Sequence, residues 1–237
     1  MEKRSLVSII IPVFNEQENI VKLYRQLSDA LILLPFNFEI IFIDDGSGDG
    51  SEEIIRRLGR KDNRIKPVIF TRNFGKEIAV TAGIRTCLGD ACLIMDADLQ
   101  HPPELIKEIL NFLIKDNNLD IVIASRYVVG GRVLNPGVSQ KIKSKSAIIL
   151  ARLFFPQVFK SVKDPLSGYF ILRRKVVEGK NFLSLGYKIL LEILVKCNYK
   201  NVYEVPYAFM NRNRGRSKVN LLQTLYSFSH FIGLKYS

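Results

Sequence analysis

The chain opens on a nearly unbroken apolar run, residues 6–12 (LVSIIIP). β-Branched residues dominate it, as in a parallel strand buried on both faces. The period then changes. Ile20, Leu23, Tyr24, Leu27 and Leu31 recur at helical spacing and predict a helix over 16–34. The alternation repeats, with strands predicted at 38–43, 65–70, 91–95 and 121–124 and helices at 51–58, 76–86 and 103–115. The last of these begins with proline, where a missing N–H costs nothing. Strand and helix in turn, joined by short connections, predict an α/β fold with a mostly parallel central sheet and helices on both faces.

The rhythm breaks after residue 129. Residues 130–139 read as a Gly/Pro-rich loop, 141–155 as a basic amphipathic helix, 169–172 as a strand and 187–197 as a helix. Residues 202–209 read as a strand interrupted by Pro206, which favours a sheet edge or a bulge. An Arg-rich loop, 211–218, precedes a last helix. The pattern predicts one domain in two halves, 1–129 and 130–218, followed by a tail helix, 219–237. Residues 219–234 hold 16 positions without Lys, Arg, Asp or Glu, but include Asn220, Gln223, Thr224, Ser227, Ser229 and His230. That is too short and too polar to span a bilayer, and suits a helix lying on one or packed on the core.

Composition narrows the class. The 237 residues are 47% hydrophobic and 24% charged, which is globular and not disordered. Three cysteines without a CxxC pair disfavour a disulfide framework and a thiolate zinc site, and point to a reducing compartment. Met1-Glu2-Lys3-Arg4 runs straight into the first strand with no cleavage pattern, so no signal peptide is expected. Charge divides unevenly: residues 1–129 hold 16 Lys/Arg against 19 Asp/Glu, and residues 130–237 hold 19 against 4, a net of −3 and of +15. An acidic first half suits metal and sugar chemistry. A basic second half suits an anionic partner such as nucleic acid, lipid phosphate or a membrane surface.

Ligands of open α/β sheets sit at the carboxyl ends of strands. Four polar clusters fall there: PVFNE (12–16), DDGSGDG (44–50), DADLQH (96–101) and SRY (125–127). Asp96 and Asp98 are close enough to repel unless a cation lies between them. Oxygen ligands with vacant positions suit Mg²⁺ or Mn²⁺, and Gln100 could add a neutral oxygen. The rival reading is helix capping by Asp98 and Gln100. Asp44 and Asp45 could accept from a base or ribose; the rival reading is an Asp/Gly turn. An EF-hand fails because Arg56 stands at its twelfth position, and no GxGxxG follows the first strand. Arg126, Arg132, Lys141, Lys143, Lys145, Arg212, Arg214, Arg216 and Lys218 form a basic set suited to phosphate, or to a solvated face. His101 is expected to cap or to pack beside Pro102. No Ser/His/Asp or Cys/His set is present.

The motifs SIIIPVFNEQENI (8–20), IDDGSGDGS (43–51), MDADLQHPPELI (95–106), ASRYVVGG (124–131), KDPLSGYFILRR (163–174), GYKILLEIL (186–194), VYEVPYAF (202–209) and RNRGRSK (212–218) run in order along nearly the whole chain. With them the chain resembles the family-2 inverting glycosyltransferases of GT-A fold, within them the polyprenyl-phosphate branch that includes the dolichol-phosphate mannose synthases. The resemblance implies transfer of a hexose from a nucleotide-sugar to polyprenyl (dolichyl) phosphate with inversion, with mannose from GDP-mannose as the first expectation. It implies that Pro12, Phe14, Glu16, Ile43 and Asp45 hold base and ribose. Asp96, Asp98 and Gln100 would ligate Mg²⁺ or Mn²⁺, with Ala97 beside the nucleotide. Arg126, Lys188, Arg212 and Lys218 would bind donor or acceptor phosphates and Ser144 the acceptor phosphate, Asp98 and Arg126 being the catalytic pair. Residues 141–155 would be an interface helix on the cytoplasmic face of a membrane, a peripheral placement that leaves room for a membrane-anchoring partner.

Departures bear on the donor. Phe14 stands where the family often has Tyr, Gln140 where an Arg often stands, and Arg216 where Glu is common. RNFGKE (72–77) is closer to bacterial undecaprenyl-phosphate glucosyl- or aminoarabinosyl-transferases, which keeps a UDP-sugar donor open. A family-2 transferase with a soluble glycan acceptor is a second alternative. A nucleic-acid-binding protein is disfavoured, because the basic half lacks a recognisable DNA or RNA motif.

Overall fold

A computed structural model of the chain describes residues 5–32, 34–134, 148–149, 151–182 and 188–209. Strand β1 (Leu6–Val13) shows why its sequence is apolar on both faces. Val7, Ile9, Ile11 and Val13 enter one core cluster, while Ile10 enters another. Strand β2 (Asn37–Asp44) divides the same way, Phe38, Ile40 and Phe42 to one side and Ile41 and Ile43 to the other. Helices α1 (Gln17–Leu31), α2 (Ser51–Lys61) and α4 (Leu105–Lys115) cover the first face. Helix α3 (Lys76–Thr86) and helix α5 (Ile189–Lys196) cover the second. The result is three layers, and each fully buried Ile or Leu adds about 1.5–3 kcal/mol.

Strands β3 (Ile65–Ile69), β4 (Ala91–Ile94), β5 (Leu119–Ser125), β7 (Phe170–Arg173) and β8 (Asn201–Pro206) complete a seven-stranded sheet of order β3-β2-β1-β4-β7-β5-β8. The β1/β2, β1/β4, β2/β3 and β5/β8 pairs are parallel. Strand β7 is antiparallel to both β4 and β5, so the carboxyl ends of β1, β2, β4 and β5 share one rim. Strands from both halves thus build one sheet. Pro206 ends the edge strand β8, where its missing N–H is harmless, as the sequence predicts. The chain then turns into β9 (Ala208–Phe209), which pairs with β6 (Arg132–Val133) in a small second sheet.

Helix α4 starts two residues later than its prolines predict, because Pro102 and Pro103 lie in a turn whose carbonyls receive the N–H groups of Leu105 and Ile106. The three cysteines are free and buried. No helix of the described residues is long and apolar enough to cross a membrane. The predicted helix at 141–155 is described only in part, and the Arg-rich loop and tail helix lie outside the described residues.

Helix α3 lies unusually close to β1. A Cβ on Gly83 would stand 2.4 Å from Ile10 Cγ2 and 3.0 Å from Ile43 Cδ1. Gly83→Ala is therefore expected to lower stability by up to about 2 kcal/mol, overpacking outweighing the roughly 1 kcal/mol of helix propensity that alanine adds. Urea unfolding followed by circular dichroism checks this, and a higher midpoint would show that Ile10 yields freely.

Candidate active site

A cavity of about 320 Å³ opens at the shared rim. The end of β1 contributes Pro12, Val13, Phe14 and Glu16, and the end of β2 contributes Asp45. The loop before α3 contributes Asn73 and Gly75, α3 itself Lys76, and the residues after β4 Asp96, Ala97 and Asp98. Seven residues expected from sequence therefore meet here: Pro12, Phe14, Glu16, Asp45, Asp96, Ala97 and Asp98. The volume is at the small end of the ligand-pocket range. Ile43 does not join them. It is fully buried under α3, behind the residues that line the cavity.

The loops after β1 and β2 are fastened to one another. The Asn15 N–H donates to Ser47 Oγ (2.8 Å), and the Gly48 N–H donates to Asn15 Oδ1 (2.9 Å). Ser51 Oγ accepts from the Glu16 N–H, and Asp49 accepts from the Gln17 N–H. Asp44 accepts from Ser47, so the turn reading holds for this aspartate. Asp45 acts differently, its two oxygens accepting the N–H groups of Phe74 (2.7 Å) and Gly75 (2.9 Å). Burial raises its pKa against those bonds. It thereby ties the 70–75 loop to β2 and fixes where Lys76 begins its helix.

Asp96 is the electrostatic centre. Burial opposes its charge, yet Lys76, His101 and Lys188 together hold its carboxyl well below the usual range. Lys76 Nζ stands 2.5 Å from Oδ1. The contact is a close ion pair, and Oδ1 itself is cut off from solvent. The Asp96 N–H donates to His101 Nδ1 (2.9 Å), which places the proton of the neutral ring on Nε2, 4.0 Å from Asp96 Oδ2. Burial pushes His101 down to about 4. Its ring stacks on Tyr169 at 4.9 Å and touches Tyr207 and Phe209 edge-on. His101 is thus a neutral packing residue, in line with the sequence expectation.

Asp98 Oδ1 accepts the Gln100 N–H at 3.1 Å. The capping alternative fails for α4, which starts at Leu105 after a turn and has no side-chain cap. Lys188 precedes α5 in a left-handed conformation (φ 58°), and its N–H donates to Glu77 Oε1 at 2.7 Å. Arg126 is largely committed. Its Nε and Nη2 donate to the two oxygens of the fully buried Asp164 (2.8 and 2.7 Å), and its own N–H adds a third bond. Phe209 and Tyr127 flank the guanidinium. Burial works against its charge and Asp164 more than restores it, so its pKa stays raised. Ser144, Arg212 and Lys218 lie outside the described residues, as do Lys141, Lys143, Lys145, Arg214 and Arg216.

Sequence reasoning missed Lys76 and Asp164. Lys76 carried a usable signal: a cation in the first turn of a helix sits against the dipole and needs a partner elsewhere. Asp164 carried a weaker one, as one of only four acidic residues after position 129.

The paired aspartates Asp96 and Asp98 follow β4, beside the switch in strand order between β1 and β4. The chain belongs to glycosyl transferase family 2, whose sequence model matches residues 8–179. It is 43% identical over 213 residues to a dolichol-phosphate mannosyltransferase of Pyrococcus furiosus, covering 90% of this chain and 59% of that protein. It is 33% identical over 177 residues to a bactoprenol glucosyl transferase of Shigella phage SfV, covering 75% of this chain and 55% of that one. The chain thus spans somewhat over half the length of these relatives. Mannosyl-3-phosphoglycerate synthase of Rubrobacter xylanophilus superposes with a TM-score of 0.72 at 19% identity, covering 97% of this chain and 73% of that one. Glucosyl-3-phosphoglycerate synthase of Mycobacterium tuberculosis, crystallised with Mn²⁺ and UDP-glucose, gives 0.72 at 15% identity, covering 98% and 79%. The fold is the GT-A fold.

Burial, with Lys76 and Arg126 nearby, pushes Lys188 from 10.5 down to about 8. Folding therefore opposes this charge fully below pH about 8, and the opposition fades as pH rises toward the unfolded lysine value. Lys188→Gln is expected to melt higher than the parent at pH 7, with the gap closing from pH 8 to 10, while binding nucleoside diphosphate more weakly. Differential scanning calorimetry across pH, with isothermal titration of GDP and UDP, checks both. A lower melting temperature at pH 7 would show that Lys188 supports Asp96 more than it strains the fold.

Proposed function

We propose that the chain transfers a hexose, first of all mannose from GDP-mannose, to a polyprenyl phosphate with inversion at the anomeric carbon. The observation that carries this is the meeting of Asp96 and Asp98 with Pro12, Phe14, Glu16 and Asp45 around one cavity. The chain's 43% identity to a dolichol-phosphate mannosyltransferase supports the choice of acceptor.

The donor set fits a divalent ion. Asp96 Oδ1 is a buried charged oxygen met by the Lys76 ammonium, and Asp98 stands on the same cavity wall. Among the described residues no group of three or more His, Cys, Asp or Glu converges. Two carboxylates, with Gln100 as a neutral neighbour, leave positions for diphosphate oxygens, a mode that suits Mg²⁺ or Mn²⁺. When bound, the ion would neutralise charge growing on the departing diphosphate. Phe14 would stack on the base, and Asp45 and Glu16 would face base and ribose. Lys188 would meet phosphate at a site that otherwise disfavours its charge, together with Arg212 and Lys218. Arg126, held by Asp164, would present its remaining face to the acceptor phosphate near Ser144. That phosphate has a second pKa of about 6 and is already ionised at pH 7, so no protein base is needed. His101, neutral and packed, is consistent with this.

Acceptor handling falls to residues 130–218 and docking to a membrane surface. Ile149 (68% exposed) and Leu153 (75%) present apolar side chains to solvent on the segment that carries Arg152, while Ala151 and Phe155 anchor that segment in the core. An apolar face with cations beside it suits the headgroup boundary of the cytoplasmic leaflet, with or without an anchoring partner. A second reading, a UDP-sugar and undecaprenyl phosphate, is favoured by one observation: Lys76 of the RNFGKE segment lines the cavity.

Incubation with polyprenyl phosphate, Mg²⁺ or Mn²⁺, and labelled GDP-mannose, UDP-glucose or UDP-N-acetylglucosamine tests the proposal. Label is expected in the organic phase from one donor, and Asp98→Asn is expected to reduce turnover by about 10²-fold or more. Metal-dependent donor hydrolysis with no lipid product would move the acceptor to a soluble molecule. Near-normal turnover by Asp98→Asn would remove Asp98 from the mechanism.

A further inference from the structure

Lys76 has no place in the roles assigned so far, yet its position is tightly specified. Asp45 holds the Gly75 N–H, and Gly75 has a backbone conformation (φ 106°) suited to glycine. The helix that follows starts at Lys76 itself. The ammonium lies 2.5 Å from Asp96 Oδ1. Gly168 borders the pair: a Cβ there would make ordinary contact with Asp96 Oδ2 (3.4 Å) and Lys76 Nζ (3.5 Å). Asp98 also attracts the same ammonium. The Lys76 side chain is nevertheless 41% exposed along the cavity wall, so it has a path away from the carboxylate.

We propose that Lys76 is a built-in counter-cation of the aspartate pair, holding Asp96 when no metal is bound and exchanging places with the divalent ion when the donor arrives. The proposal rests on the reading of Asp96 as a metal ligand. Asp96 Oδ1 is cut off from solvent, and charge held there without a cation is unfavourable, so the metal-free site is better with one. A lysine supplies it without an external ion. The same oxygen cannot serve an ammonium and a divalent ion at close range, since the two cations repel. Metal binding to the protein alone must therefore displace Lys76 and is weakened by it. A nucleoside diphosphate gives the displaced ammonium a new anionic partner. Metal and donor consequently bind with positive coupling, and each raises the affinity of the other by the same factor. The arrangement disfavours metal loading without donor.

Mn²⁺ binding, followed by isothermal titration and by the spin-resonance signal of free Mn²⁺, tests this with and without GDP or UDP. Wild type is expected to bind Mn²⁺ weakly alone and more tightly with nucleotide. Lys76→Gln is expected to bind Mn²⁺ alone about tenfold more tightly and to show a nucleotide effect smaller by the same factor, the share carried by direct contact of metal and diphosphate remaining. Mn²⁺ should also raise its melting temperature more than it raises that of wild type, a readout independent of turnover. Lys76→Arg keeps the charge and should keep the coupling. Asp96→Asn should abolish Mn²⁺ binding in either background. An unchanged or weaker Mn²⁺ affinity in a folded Lys76→Gln, with Asp96→Asn still abolishing binding, would overturn the counter-cation and leave the metal site standing. Full Mn²⁺ binding by Asp96→Asn would overturn both.

Discussion

One partly buried carboxylate, Asp96, with its Oδ1 cut off from solvent, sets the terms for the rim of the sheet. It stands at the end of a central strand, where burial opposes its charge, and three elements answer it. Helix α3 brings Lys76, the start of α5 brings Lys188, and the loop toward α4 brings His101, which binds the Asp96 N–H. Each of these is fixed in turn by something further out. Asp45 holds the loop that places Lys76, Glu77 holds the N–H of Lys188, and Tyr169 stacks on His101. An unpartnered ion in such a place would be unfavourable by several kcal/mol. Much of the rim can be understood as the means of keeping that ion.

Backbone strain gathers at the same place. Among the described residues, Asn15, Leu99 and Lys188 are the non-glycine residues with positive φ, and they follow β1, follow β4 and precede α5. A left-handed conformation costs roughly 1–2 kcal/mol for an L-residue and persists only where surroundings over-determine it. At Asn15 two hydrogen bonds to the facing loop do so. At Lys188 the bond to Glu77 does so. The layered cores beneath supply the stability that lets the rim stay strained.

The first half of the fold was legible because burial on both faces leaves an unmistakable apolar run, as in β1 and β2. The direction of β7 was not, since an apolar run of four residues reads the same whichever way it enters the sheet. The cavity residues were legible as clusters at strand ends, but their individual roles were not. Asp45 spends both oxygens on backbone N–H groups 29 and 30 residues away, and Arg126 is clasped by Asp164, 38 residues on. Pairings of that range leave no local period. Lys76 gave one local sign, a cation in the first turn of a helix, but the carboxylate it meets stands on another element.

The pairing of acidic residues also sharpens the charge asymmetry. The second half has four carboxylates. Asp164 is buried against Arg126, Glu192 is buried against Lys196, and Glu204 accepts the N–H groups of Lys163 and Asp164. Three of the four are thus turned inward to hold the fold. Among the described residues of this half, few carboxylates are therefore left to repel an anion. The same half exposes the apolar residues Ile149 and Leu153. Nucleic acid would use the charge but has no need of the apolar side chains. A lipid phosphate, anionic at its head and apolar behind, needs both.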